Sequence, residues 1–244
     1  MGAHDGAPSA PRRPAGAIVP VTGPHPFDAI LFDLDGTLAD TAADISLALR
    51  RAFEDLAITT VRPVDSLVDG SPLEEVFAVA APGADPGLFD RFVSRYRAHY
   101  QGGGHARTRL YPGVVDTLDA LCFLRPRPRL AIATSKRAEA ARGLCVHVGI
   151  AGYFDAIEGT GGTALRHKPA PDLLLRVCEA LEVAPSRSLM VGDTARDVLA
   201  GRAAGMRTAA VLYGLGARDA LLAAGPDHLL EDLEDVLTVF ARQG

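Results

Sequence analysis

Apolar positions in this chain follow two rhythms. Short continuous runs lie at residues 27–32 (FDAILF), 129–133 (RLAIA), 188–191 (SLMV) and 208–212 (TAAVL). Runs this short, bounded by polar or turn residues, predict buried strands. Between them, 114–124, 137–148, 171–181 and 195–204 carry helical patterns, and Gly205 supplies a C-terminal cap signal for the last. Strand and helix alternate, which predicts an α/β fold, a Rossmann-like parallel sheet with helices on both faces.

One interval breaks the rhythm. A strand–helix–strand unit takes about 30 residues. Thr134 to Lys168 is 34 positions and Lys168 to Asp193 is 25, but Asp33 to Thr134 is 101. About 70 residues are therefore extra after the first strand. Within them, 42–56 has apolar residues at 45, 47, 49, 53 and 56, and 72–80 and 88–100 also read as helical. Gly102, Gly103 and Gly104 then form a flexible return. The expected organisation is a core of 27–40 and 111–244 with a small all-α segment at 41–110 hinged on it. Residues 1–26 hold six Pro, four Gly and five Ala, with their only apolar patch broken by Pro20. They read as a disordered tail, with a processed targeting segment as the alternative.

Composition narrows the class. Of 244 residues, 48% are hydrophobic and 23% charged, ordinary values for a globular chain. The net charge of −5 argues against a dedicated nucleic-acid binder. No apolar run reaches the ~18 residues of a membrane span. Cys122, Cys145 and Cys178 have no metal-ligand spacing and read as reduced thiols of a cytoplasmic protein. Of 25 basic residues only Lys136 and Lys168 are lysines, which raises the question of what stands beside each.

The candidate chemistry sits at the strand ends. Asp33 and Asp35 in DLDGTL face the same side of extended chain, and Gly36 permits a tight turn. Thr134 and Ser135 end the second strand, where hydroxyls before a helix can bind phosphate oxygens or simply cap the helix. Lys168 lies in HKPAPD, a loop stiffened by two prolines, and His167 beside it has no evident partner. In GDTARD, Asp193 stands at the end of the 188–191 strand and Asp197 near the first turn of the next helix. Ligands bind at the carboxyl ends of strands in open α/β sheets. Four carboxylates brought together there repel unless a cation joins them, and oxygen-only ligands favour Mg2+. A hydroxyl and an ammonium nearby suit a phosphoryl group. The set reads as phosphoryl transfer with an aspartate nucleophile.

DLDGTL, followed by a Thr, a Lys-Pro and GDTARD at these intervals, resembles the haloacid dehalogenase superfamily over residues 27–240, and within it the phosphoglycolate-phosphatase-like enzymes with a helical cap. The resemblance implies Mg2+-dependent hydrolysis of a small phosphate monoester through an aspartyl-phosphate. It implies Asp33 as nucleophile, Asp35 as general acid and then base, and Thr134, with Ser135 beside it, as phosphate-binding hydroxyls. Lys168 would pair with nucleophile and phosphate. Asp33, the backbone carbonyl of Asp35, and Asp193 would hold the metal, with Asp197 helping through water or from behind. The string at 70–77 resembles the loop and helix start that face substrate in such caps, and 96–100, followed by Tyr111-Pro112-Gly113, the cap's last helix and re-entry to the core, while Tyr213-Gly214 and Asp227-His228 resemble the final strands.

Other readings are weighed on single residues. Asp35 argues against a dehalogenase. The absence of lysine from 41–110 argues against a Schiff-base phosphonate hydrolase. The insertion and Asp35 argue against a non-catalytic phospho-receiver module. A sugar-phosphate mutase keeps the same core residues and stays open, as do phosphatases of nucleoside 5′-monophosphates, sugar phosphates and pyrophosphate. If the substrate is 2-phosphoglycolate, its carboxylate needs a cation or backbone amides. Arg97 in YRAHY is the first candidate, and the loop at Gly70 and Ser71 is the alternative.

Overall fold

A computed structural model describes residues 25–160 and 164–241. Six parallel strands form one sheet: β1 (Ala29–Phe32), β4 (Arg129–Thr134), β5 (Ala156–Gly159), β6 (Ser188–Gly192), β7 (Arg207–Val211) and β8 (His228–Leu230). Two further short strands, β2 (Ala39–Asp40) and β3 (Arg109–Leu110), pair with each other antiparallel. The sheet order is β5-β4-β1-β6-β7-β8.

Side-chain alternation along β1 divides the core in two. Ile30 and Phe32 join one apolar cluster with residues of α4 (Val114–Phe123), α5 (Ala138–His147) and α9 (Asp235–Ala241). Ala29 and Leu31 join a second cluster with α6 (Asp172–Ala180) and α7 (Ala195–Ala203). A sheet with both faces covered needs apolar residues at every strand position, and all four residues of β1 are buried. The expected α/β class is what the chain adopts. The four strands expected from sequence are joined by β5 and β8, and the helices by α8 (Arg218–Ala223) and α9.

β1 lies between β4 and β6, paired to both. After β5 the chain crosses back over the sheet to enter β6, so the winding direction reverses around β1. Such a reversal opens a crevice at the carboxyl ends of the strands. Asp33, Thr134 and Asp193 stand at that edge.

Between β2 and β3 the chain forms three helices: α1 (Ala42–Asp55), α2 (Leu73–Ala80) and α3 (Phe89–Gly102). They bury their own cluster, in which Phe53, Phe77 and Phe92 are mutual neighbours with ring centroids 4.6–6.2 Å apart. This cluster is separate from the two that cover the sheet. Of the tail expected at 1–26, residues 1–24 lie outside the described residues. His25 is packed: it is buried, its ring 5.7 Å from Phe240, and its carbonyl accepts from Arg187.

Candidate active site

Asp33 continues β1 by one residue, its N–H donating to the Val191 carbonyl of β6 at 2.8 Å. The chain then folds back. Gly36 takes φ +87°, and its N–H donates to the Ala39 carbonyl at 2.9 Å. A Cβ at Gly36 would lie 2.2 Å from Oδ2 of Asp193, so the turn needs glycine for both its conformation and its space.

Lys168 enters from the loop before α6 and is buried. Its ammonium donates to Oδ1 of Asp33 at 2.7 Å, to Oδ1 of Asp197 at 2.5 Å and to the Ala133 carbonyl at 3.1 Å. Three acceptors match its three donors. Burial opposes its charge, but Asp197 and Asp33 outweigh that and raise its pKa above the ordinary lysine value.

Asp197 has a second task. Its Oδ2 accepts from the Thr194 N–H and hydroxyl, while Thr194 Oγ1 accepts from the Asp197 N–H, closing a capping box at the start of α7. Asp193 is buried behind the turn, accepting from Thr37 Oγ1 at 2.9 Å on Oδ1 and from the Leu215 N–H at 2.8 Å on Oδ2. Gly214 passes so close that a Cβ there would lie 2.2 Å from the Asp193 Cβ. The Tyr213 hydroxyl donates to the Thr37 carbonyl, so the Tyr213-Gly214 string buttresses the site as well as following a strand.

Asp33, Asp193 and Asp197 each bring a carboxylate oxygen within 4.8 Å of the others. Burial, with Asp197, Asp193 and Asp35 adding to it against Lys168, pushes Asp33 up to about 8. Burial and Asp197 likewise push Asp193 up to about 6. These three carboxylates are accompanied by one ammonium, that of Lys168, a formal deficit that one divalent cation would cancel. A buried, all-oxygen donor set with that deficit fits a hard divalent ion.

Thr134 is buried at the end of β4, its Oγ1 accepting from the Lys136 N–H at 3.2 Å. The Ser135 carbonyl faces the Thr160 hydroxyl at 3.4 Å. His167, unpartnered on sequence grounds, has a partner: its Nδ1 lies 2.8 Å from Thr160 Oγ1.

Sequence reasoning missed Lys136. Its ammonium lies 3.3 Å from Oδ1 of Asp35 and donates to the Tyr100 hydroxyl of α3 at 3.0 Å. Oδ1 of Asp35 also accepts from Thr41 Oγ1 at 2.7 Å. Burial opposes the charge of Lys136, but Asp35, Tyr100 and Tyr96 outweigh it and raise its pKa. Tyr96 and Tyr100 do stack at i,i+4, with centroids 5.8 Å apart, so packing accounts for only part of the YRAHY string. The rarity of lysine was the available signal.

A cavity of about 390 Å3 unites these groups. Asp33, Asp35, Thr134, Ser135, Lys168 and Asp197 line its floor, and Arg97 lines it from α3. Gly70 and Ser71 line it too. At its rim Glu75 of α2 pairs with Arg196 of α7. Asp193 is not among the lining residues.

Residues 30–211 match the haloacid dehalogenase-like hydrolase family. A phosphoglycolate phosphatase of Aquifex aeolicus is 35% identical over 187 residues, 76% of this chain and 84% of that one. One from Chromobacterium violaceum is 34% identical over 223 residues, 86% and 96% of the two chains. The solved structure of a haloacid dehalogenase-like family hydrolase from Streptococcus pneumoniae superposes with a TM-score of 0.76 at 28% identity, covering 88% of this chain and 99% of that one. The chain therefore belongs to the haloacid dehalogenase-like hydrolases and is a phosphatase, a phosphoric monoester hydrolase.

Proposed function

We propose that this phosphatase hydrolyses 2-phosphoglycolate, with Mg2+, through an aspartyl-phosphate at Asp33. The observation that carries the chemistry is the pairing of Asp33 with Lys168 at the switch point, beside a second carboxylate two residues on. The names of the curated relatives carry the substrate.

Asp33, Asp193 and the backbone carbonyl of Asp35 would hold the metal, with Asp197 supporting them. Bound there, Mg2+ neutralises charge on phosphoryl oxygens. Lys168 engages Oδ1 of Asp33, and Oδ2 is the oxygen we assign to attack phosphorus. Thr134 and Ser135 bind phosphoryl oxygens. Asp35 gives a proton to the leaving oxygen, then takes one from the water that cleaves the acyl phosphate. Lys168 offsets charge on the phosphoryl group in both steps. Residues 41–110 act as a cap that keeps bulk water from the cavity, and Arg97 meets the substrate carboxylate. The three free cysteines suit a cytoplasmic enzyme.

Phosphate release across 2-phosphoglycolate, nucleoside 5′-monophosphates, pyrophosphate and sugar phosphates tests the reading. The highest kcat/KM is expected for 2-phosphoglycolate. A higher value for any other member reassigns the substrate.

A further inference from the structure

The two lysines of the chain each stand beside one carboxylate of the DLDGTL string: Lys168 at Asp33, Lys136 at Asp35. The Lys168 partners all belong to the sheet core. Those of Lys136 do not. Its ammonium sits between Asp35 and Tyr100, 4.1 Å above the ring centroid of Tyr100 and hydrogen-bonded to its hydroxyl. Its side chain is only 10% exposed. Oδ1 of Asp35 also accepts a hydrogen bond from Thr41, the residue at the N-cap position of α1. Thr41 is where the chain leaves the core for the helical segment, and Tyr100 lies in the last helix before it returns. Both crossings therefore act on one oxygen of one carboxylate. A hydrogen bond and an ion pair on the same oxygen restrict rotation of the group.

We propose that Lys136 is a positioning residue: with Thr41 and Tyr100 it holds Asp35 oriented for proton transfer only while the helical segment lies against the core. This rests on the reading of Asp35 as acid and base. Seating of the helical segment brings the Tyr100 hydroxyl to Lys136 and so fixes the ammonium that steadies Asp35. Lifting it removes that anchor, and proton transfer is lost before substrate has been enclosed.

The test is stopped-flow hydrolysis of 4-nitrophenyl phosphate with Mg2+ by Lys136→Met and Tyr100→Phe, with Asp35→Asn as reference. 4-Nitrophenolate leaves without a proton, so formation of the phospho-enzyme does not need Asp35, whereas its hydrolysis does. Lys136→Met is expected to release about one equivalent of nitrophenolate per active site at close to the wild-type rate. Its steady state is expected to be about tenfold or more slower, with KM falling in proportion so that kcat/KM is kept. Tyr100→Phe removes a single oxygen, keeps the ring packing, and is expected to give the same pattern at smaller amplitude. If burst and steady state fall together in Lys136→Met, or neither changes, the inference is overturned. Wild-type behaviour of Tyr100→Phe overturns the link to the helical segment. Absence of a burst in Asp35→Asn overturns the acid–base reading beneath it, and is distinguishable because the reference itself fails.

Discussion

Asp33 and Asp35 are two residues apart and meet different surroundings. Asp33 is 7% exposed and bonded to a lysine whose hydrogen bonds go to Asp33, Ala133 and Asp197. Asp35 is more open and is held by Thr41, at the entry to the helical segment, and by Lys136, which bonds Tyr100 of α3. That contrast suits two roles, one carboxylate for attack and one for moving protons. Asp33→Asn removes the attacking oxygen while keeping size and burial. Turnover is expected to fall by at least about 10³-fold, with a melting temperature close to wild type. Steady-state rates with circular dichroism check this, and near-wild-type activity would end the assignment. Arg97→Ala isolates the substrate contact. A charge-assisted contact made in the transition state is worth about 2–5 kcal/mol, so kcat/KM should fall strongly for 2-phosphoglycolate and little for an uncharged aryl phosphate. Equal losses on both would assign Arg97 to packing of α3.

At the scale of elements, the edge of the sheet is fastened by Asp155, which precedes β5. Its carboxylate accepts from the Leu130 N–H at 2.9 Å and from Arg127 at 3.0 and 3.1 Å, with Arg129 at 3.2 Å. Burial works against its ionisation, but the Leu130 N–H and the two arginines outweigh it, and the pKa lies below the ordinary aspartate value. The stability this confers is complete above the unfolded value of about 3.9 and is lost as pH falls through the lower folded value. Asp155→Asn is expected to cost about 1–2 kcal/mol at pH 7, the arginines being partly exposed, and the cost should vanish towards pH 2. Urea unfolding at both pH values measures it, and a cost independent of pH would assign the effect to the Leu130 hydrogen bond alone.

The same edge explains what sequence could and could not show. β1, β4 and β6 are buried on both faces, so their apolar runs are continuous and legible. β5 reads AIEG, is only partly buried, and carries Glu158 out to Arg142, which hides its strand character. β8 has three residues, too few for a period. Asp33, Thr134, Lys168 and Asp193 were readable because each follows a predictable strand or stands in a distinctive loop. Lys136 was not, since its partners lie 101 and 36 positions away, Asp35 beyond the neighbouring strand β1 and Tyr100 on a helix of 41–110. His167 was missed because its partner Thr160, seven positions back, lies outside any strand or helix period.

For the whole molecule, one reversal of winding around β1 gathers residues from four distant stretches of chain at one cavity, over which three helices with their own core are laid. Asp33, Asp193 and Asp197 form a buried acidic cluster at its base. Exhaustive chelation is therefore expected to abolish phosphate release, Mg2+ to restore it, and Ca2+ to inhibit, its larger and looser coordination fitting a Mg2+ site poorly. Full activity after chelation would contradict the assignment of the acidic cluster to a metal. The central claim is covalent: the phosphoryl group passes through Asp33. It is tested most directly by mixing Asp35→Asn with Mg2+ and an activated aryl phosphate, quenching in acid, and locating the phosphoryl group by peptide mass spectrometry. An acid-stable, base-labile adduct is expected on the peptide that contains Asp33, absent when Asp33 is also replaced by Asn. An adduct on any other residue, or one that persists without Asp33, would contradict it.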